Sequence, residues 1–252
     1  IKKDYKVKGL LKDGKINLLN DFSIKNINLL LKIENNNFDL SDIRFTTNKI
    51  DLFSNNLRIK RKHDKFFISG DIENNNSKLN SEFLDLLRFR YHDIFFKNVE
   101  ISSKNKFSFI IDDKFNYEKL FVNSEISLDK AEYKKPKLLN KYLTDVKNVI
   151  NLRKHKIQAT FKDNNLSVIG SGKIQLEKEY DDIDYSISQS GDKVNIDSNI
   201  KLSELNIKNQ KSLKTFFPNI SEVLNLKDHQ INIKFKDNNL SVIGSGKIQL
   251  EK

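Results

Sequence analysis

The sequence predicts a mainly β fold: a long antiparallel meander of tandem repeats, curled into an elongated groove, with a short helix in each repeat. Three observations predict it. Apolar and polar residues alternate with a period of two along most of the chain, the pattern of strands with one covered and one wet face. Clusters of Asn, Asp and Gly punctuate these stretches at hairpin spacing. One block, Phe161 to Lys178, recurs residue for residue from Phe235 to Lys252, and self-similarity at a fixed period is the signature of a repeat architecture.

The alternation is clearest in the repeated block. Leu166, Val168, Gly170, Gly172, Ile174 and Leu176 fall on one face, and Ser167, Ser171, Lys173 and Gln175 on the other, with Ile169 the exception. Val194, Ile196, Ser198, Ile200 and Leu202 alternate against Asn195, Asp197, Asn199 and Lys201. The same holds for Ile27, Leu29, Leu31 and Ile33, and for Phe107, Phe109 and Ile111. Hairpin loops are expected at Asp13-Gly14, Asn35 to Asn37, Asn74 to Asn76, Asp112-Asp113, Asp163 to Asn165, Ser190 to Asp192 and Asp237 to Asn239, because these residue types tolerate positive φ and bond their own backbone.

Helical spacing appears in three short places. Leu139, Tyr142, Leu143, Val146, Val149 and Ile150 recur at three- and four-residue steps, and so do Phe216, Phe217, Ile220, Val223 and Leu224, where Pro218 suits a first turn. A third candidate runs from Phe83 to Phe89, capped by Asn80 or Ser81.

The repeat extends upstream in degenerate form. VNSEISL from Val122 matches IDSNIKL from Ile196, and the stretch from Asn140 matches that from Lys214, pairing Tyr142 with Phe216, Val146 with Ile220, Leu152 with Leu226 and His155 with His229. This divides the chain into an N-terminal meander over 1–121, a repeat unit over 122–195 and a second unit over 196–252, which together also read as one continuous groove. FFISGDIE at Phe66 to Glu73 is a fainter echo of VIGSGKIQ at Val168 to Gln175. The identity of the last block beside such drift fits a recent duplication, and equally an artefact of sequence assembly.

Composition narrows the function. The 18 Phe and 7 Tyr argue against a disordered chain, and the absence of Cys excludes a disulfide framework, a thiol nucleophile and a thiolate metal site. The net charge of +11 invites a nucleic-acid reading, yet nearly all of the positive charge is Lys, dispersed among Asp and Glu. Arg, the residue that reads bases bidentately, is scarce. Nucleic acid is therefore disfavoured as a partner. No apolar run is long enough to span a bilayer. The chain begins at Ile1 and stops within a repeat, so it reads as a segment of a longer protein.

Catalytic chemistry finds no foothold. His155 and His229 occupy equivalent places, without HxH or HExxH spacing, and read as polar residues closing a helix before the next strand. The Gly pair of VIGSGK lacks phosphate-loop spacing; it reads as a bend or, less favoured, as clearance for a ligand chain. Asp112-Asp113 and Asp181-Asp182 read as solvated loops. The expectation is a non-enzyme without metal or cofactor. Its working surface would be the apolar strand faces, lined by Leu166, Val168, Gly170, Gly172, Ile174, Leu176, Val194, Ile196, Ile200, Leu202, Leu240, Val242, Ile248 and Leu250. Such a trough suits acyl chains, held by non-directional burial.

The unit of alternating strands, a short helix ending in NLxxHxI (Asn151 to Ile157, Asn225 to Ile231) and a strand bearing VIGSGKIQL resembles the AsmA-like family, the repeating β-groove proteins of the TamB and YhdP types, in a Lys/Asn-rich alphaproteobacterial version. The resemblance is best over Val122 to Lys252. It implies a periplasmic protein anchored in the inner membrane by a segment outside this sequence. Its apolar groove would carry phospholipid toward the outer membrane, with other envelope proteins at the groove ends. A non-catalytic scaffold that binds an envelope protein through its edge strands is the alternative.

Overall fold

The computed structural model describes residues 5–17, 23–79, 96–135, 147–208 and 223–249. Among them the chain forms β1 (Lys6–Asn17), β2 (Ser23–Glu34), β3 (Asn37–Thr47), β4 (Ile50–Lys62), β5 (Lys65–Leu79), β6 (Phe96–Asp112), β7 (Tyr117–Lys134), β8 (Val149–Lys162), β9 (Asn165–Gln175), β10 (Asp181–Ser190), β11 (Lys193–Lys208), β12 (Val223–Lys236) and β13 (Asn239–Gln249). They make one 13-stranded sheet in sequence order. Each strand is antiparallel to the next, and the sheet stays open, with β1 and β13 as its edges. The boundaries at 121/122 and 195/196 fall inside β7 and β11, within this one sheet.

The tight turns follow from residues that accept a left-handed backbone. Asp163 and Asn164 (φ 49° and 61°) and Asp237 and Asn238 (φ 50° and 60°) supply two successive positive φ values, the geometry whose twist matches the flanking strands. The turns at Asn35-Asn36, Asp113-Lys114 and Gly191-Asp192 also lie where the sequence places them. Two others do not. Asp13-Gly14 and Asn74 to Asn76 lie inside β1 and β5, at register shifts between Leu11 and Gly14 and between Asn74 and Ser77. The same tolerance of positive φ that closes a hairpin also permits a bulge, so residue type alone does not separate them. Asn48-Lys49 and His63-Asp64 are turns that the sequence reading missed.

The short helix per repeat finds no support: the described residues contain no helix. Residues 83–89, 139–146 and 216–222 lie outside them. The last residues of two predicted helices, Val149-Ile150 and Val223-Leu224, instead open β8 and β12.

The register gathers mainly apolar residues on one face, with Gln189 the polar exception in the row from β1 to β11. A single cross-strand row runs Gly9, Leu31, Leu40, Leu57, Gly70, Phe107, Val122, Phe161, Leu166, Gln189, Val194, from β1 to β11. The adjacent row, one residue over and on the opposite face, runs Lys8, Lys32, Asp39, Arg58, Ser69, Ser108, Phe121, Lys162, Asn165, Ser190, Lys193. Only Phe121 breaks its polarity.

Two clusters anchor the apolar face. Ile150, Ile174, Leu176, Ile200, Leu202 and Leu205 form one across β8 to β11. Val99 and Ala131 form the other, with Leu79, Phe96, Ile101, Leu128 and Leu152 against them. Outside these clusters Ile27, Ile43 and Ile50 of β2 to β4 are also buried, and most other apolar side chains are half-buried or exposed. The accessible surface of 18238 Å² far exceeds the about 11,500 Å² of a compact monomer of this mass, as befits a sheet that is not folded onto itself.

Candidate functional site

All of the predicted lining residues among the described residues lie on the apolar face, but their surroundings differ. Ile174, Leu176, Ile200 and Leu202 are buried, and Leu166, Val168, Val194 and Ile196 are half-buried. Leu240, Val242 and Ile248, on the edge strand, are exposed. Leu250 lies outside the described residues.

The two glycines of the repeated block serve neighbouring side chains. The register sets Tyr185 opposite Gly170, and a Cβ at Gly170 would lie 2.4 Å from Tyr185 Cζ. A Cβ at Gly172 would lie 2.4 Å from His155 Cδ2. The rings of Tyr185 from β10 and His155 from β8 therefore fold over the glycines of β9 and meet above it, 5.8 Å between centroids. Aromatic cover of a strand glycine is a recognised way to fix register.

The hydrogen bonds form a relay. His155 Nε2 lies 3.0 Å from the Lys173 carbonyl and so donates; Nδ1, 3.3 Å from the Tyr185 hydroxyl, accepts from it. That assigns His155 as the neutral Nε2–H tautomer. Burial holds its pKa below the usual value, partly opposed by the bond to the Lys173 carbonyl. Burial likewise pushes Tyr185 up to about 12.

The expectation that His155 closes a helix is overturned: it sits inside β8 on the apolar face, 2 % exposed. A bulge places it there. Lys154 adopts φ 52°, and the β8–β9 register shifts between Arg153 and Lys156. His229 repeats the arrangement after Asp228 (φ 51°), with a Cβ at Gly246 falling 2.4 Å from its Nδ1. Its Nδ1 lies 3.0 Å from the Lys227 carbonyl and so donates, whereas His155 donates from Nε2.

Asp181 is also misplaced by the loop reading. It is a buried residue that accepts from the Ser203 amide at 2.7 Å and the Ser203 hydroxyl at 2.8 Å. Asp182 pairs with Lys173 at 2.7 Å. Asp112, in contrast, does lie beside a turn, accepting from the Lys114 and Asn116 amides.

Concavities lie on both faces of the sheet. A cleft of about 330 Å³ opens on the apolar face, lined by Phe38, Ile59, Phe66, Ile68, Ile111, Asp112, Asp113 and Phe115. Phe115 stands at its rim, 86 % exposed at φ 63°. The sequence reading named none of these as site residues, although Phe38, Ile59 and Ile68 stand in one cross-strand row. The larger cavity, about 720 Å³, lies on the polar face of β6 to β11, where Ser102, Lys104, Glu125, Ser127, Lys156, Gln158, Ser171, Asp184 and Asp197 line it. It carries charges of both signs, so no single ligand charge is selected.

The apolar face is not uniformly greasy. Asn74, Ser103, Asn105 and Ser124 form a polar strip across β5 to β7. Asn74 Nδ2 donates to the Ile101 carbonyl at 2.8 Å, and Asn105 Nδ2 to the Ile72 carbonyl at 2.9 Å. The Ser103 hydroxyl donates to Asn74 Oδ1. The polar groups of Asn74, Ser103 and Asn105 thus bond within the sheet, which lowers the penalty of burying them. Among the described residues, no three His, Cys, Asp or Glu side chains are grouped to hold a metal ion. No helix there is long and apolar enough to cross a membrane.

No family model, curated protein or solved structure matches this chain.

Proposed function

We propose that the chain is a lipid-binding segment of an AsmA-like envelope protein, whose apolar sheet face holds phospholipid acyl chains and conducts them through the periplasm toward the outer membrane. The reading rests on one observation above all: a row of apolar residues and glycines, interrupted only by Gln189, that crosses the sheet from β1 to β11 on a sheet that does not close. The apolar side chains of this row are only half-buried, and an apolar surface of that extent calls for a fuller cover. Acyl chains need no polar recognition groups, since burial at about 0.8 kcal/mol per CH₂ suffices to hold them. The cleft beneath Phe115 is a natural seat for a chain end. Anchorage in the inner membrane through a segment outside this sequence belongs to the same reading.

The test is native mass spectrometry of the chain purified without detergent, followed by lipid extraction. Phospholipid is expected at about one or more molecules per chain. A folded protein that carries none, and takes up none from vesicles, would sink the proposal.

A further inference from the structure

The cleft beneath Phe115 has a cation at its border. The register pairs Arg61 of β4 with Phe66 of β5, and Phe66 with Ile111 of β6. Two residues further along, Ile59 pairs with Ile68. Arg61 therefore rises from the apolar face, where the alternation calls for another aliphatic side chain. Its guanidinium lies over the Phe66 ring, 5.5 Å from the centroid, and Phe66 is a wall of the cleft. Among the described residues no carboxylate is in ion-pair contact with Arg61. Arg58, on the opposite face, has Asp39 at 2.9 Å.

The other wall is braced. The Asp112 carboxylate accepts from the Lys114 and Asn116 amides at 2.9 and 2.8 Å and from Asn116 Nδ2 at 2.9 Å. The Phe115 amide donates to the Asp112 carbonyl at 3.1 Å. These bonds hold Phe115 at φ 63°, with its ring 86 % exposed. A bulky residue in the left-handed region is a genuine outlier, and such strain gathers where a side chain must be presented in one place. Asp112 and Asp113 stand at the end of β6 and just beyond it. Arg61 is two strands away, about 10 Å at the usual strand spacing.

From this we propose that the cleft is a binding site for one long-chain carboxylate, its tail beneath Phe115 and its head on Arg61. It rests on the reading of this face as one that takes acyl chains, and adds a head group to the chain. If a methylene fills about the 30 Å³ of a water molecule, the cleft of about 330 Å³ takes about ten of them. That is one chain and not two. One guanidinium offers a forked pair of donors that matches one carboxylate, whereas a phosphate monoester brings more charge than a single Arg balances. The Phe66 ring under the guanidinium excludes water from one side of the pair, which strengthens it. Asp112 and Asp113 repel the same head, and so set it at the β4 side of the cleft.

The probe is cis-parinaric acid, titrated into the full chain and followed by its emission. Saturable binding is expected, displaced by palmitate and about tenfold less well by hexadecanol, which has the tail without the charge. Arg61→Gln should weaken palmitate by about tenfold and leave hexadecanol unchanged, and Arg61→Lys should restore part of the loss. Phe115→Ser should weaken both competitors, while Arg58→Gln on the opposite face should alter neither. Circular dichroism of each variant shows that the strands are intact. The inference is overturned by a folded chain that does not saturate, by equal displacement with palmitate and hexadecanol, or by palmitate binding that Arg61→Gln or Phe115→Ser leaves unchanged. Phospholipid uptake from vesicles, measured beside it, separates the two proposals. A chain that takes phospholipid but no carboxylate loses this site and keeps the groove; one that binds carboxylate at Arg61 and takes no phospholipid does the reverse.

Discussion

At the scale of single residues, what a glycine does here depends on its neighbours across the strand. Gly170 and Gly244 stand at equivalent places in identical sequence, yet an added side chain at Gly170 would collide with the Tyr185 ring and at Gly244 would enter open space. Gly170→Val should therefore cost about 1–3 kcal/mol of stability through overpacking. Gly244→Val should stay within about 0.5 kcal/mol of the parent, as an edge substitution without steric conflict. Urea midpoints of the two variants check this directly, and equal shifts would refute it. The Tyr185–His155 pair also couples stability to pH. Burial lowers the folded-state pKa of His155, so the unfolded chain takes up the proton more readily. The neutral ring's contribution is complete above the unfolded value of about 6.5 and is lost as pH falls below it. The urea midpoint should drop between pH 7 and pH 5, and His155→Gln should remove part of that slope. A variant whose pH profile parallels that of the parent would show that His155 protonation is not linked to folding.

At the scale of strands, period-two alternation made the β class, the antiparallel pairing and the shared apolar face legible, because one wet and one covered face impose that period on the sequence. Five of seven expected turns fall in place, four of them because Asn, Asp or Gly takes the positive φ, whereas beside Asp113-Lys114 it is Phe115 that does. The same mark misled at Asp13-Gly14 and Asn74 to Asn76, where left-handed residues bulge a strand rather than end it. The helix ends failed differently. Val149, Ile150, Val223 and Leu224 satisfy a three- and four-residue spacing, but they open strands whose apolar face must join the neighbouring rows, and pairing decided their conformation. Tyr185 was passed over because its role is visible only in register: nothing in DDIDYSISQ says that Tyr185 will meet a glycine in β9 and a histidine in β8. The bulge at Lys154 was equally silent, since Lys has no preference for a left-handed backbone. Holding a lysine there costs about 1–2 kcal/mol, which Asn would partly relieve. Lys154→Asn should accordingly raise the urea midpoint slightly, in keeping with Asp228 at the twin position. Lys154→Val, β-branched and ill-suited to positive φ, should lower stability by about 1–2 kcal/mol. If both variants match the parent, the bulge is not what places His155.

At the scale of the molecule, every strand pairs only with the strands beside it, and the two faces of the sheet confront different surroundings. Such a quasi-one-dimensional array gains stability from neighbour to neighbour, so a substitution at the β13 edge can be read without disturbing the interior. Val242 and Ile243 are adjacent there and similarly exposed, 59 % and 66 %, but the register sends Val242 to the apolar face with Ile233 and Ile243 to the polar face with Asn232. An Asp at either place adds the same charge to the same strand. If acyl chains lie along the apolar face, Val242→Asp should lower phospholipid uptake from vesicles several-fold, because a carboxylate must be desolvated wherever a methylene chain covers it. Ile243→Asp should leave uptake unchanged, since its face meets water in either case. Val168→Asp, on the same face but within the sheet, should act more strongly, provided its circular dichroism shows the strands intact. Equal uptake by Val242→Asp and Ile243→Asp would mean that lipid does not follow the apolar face out to β13, and equal uptake by the Val168→Asp protein would remove lipid from that face altogether.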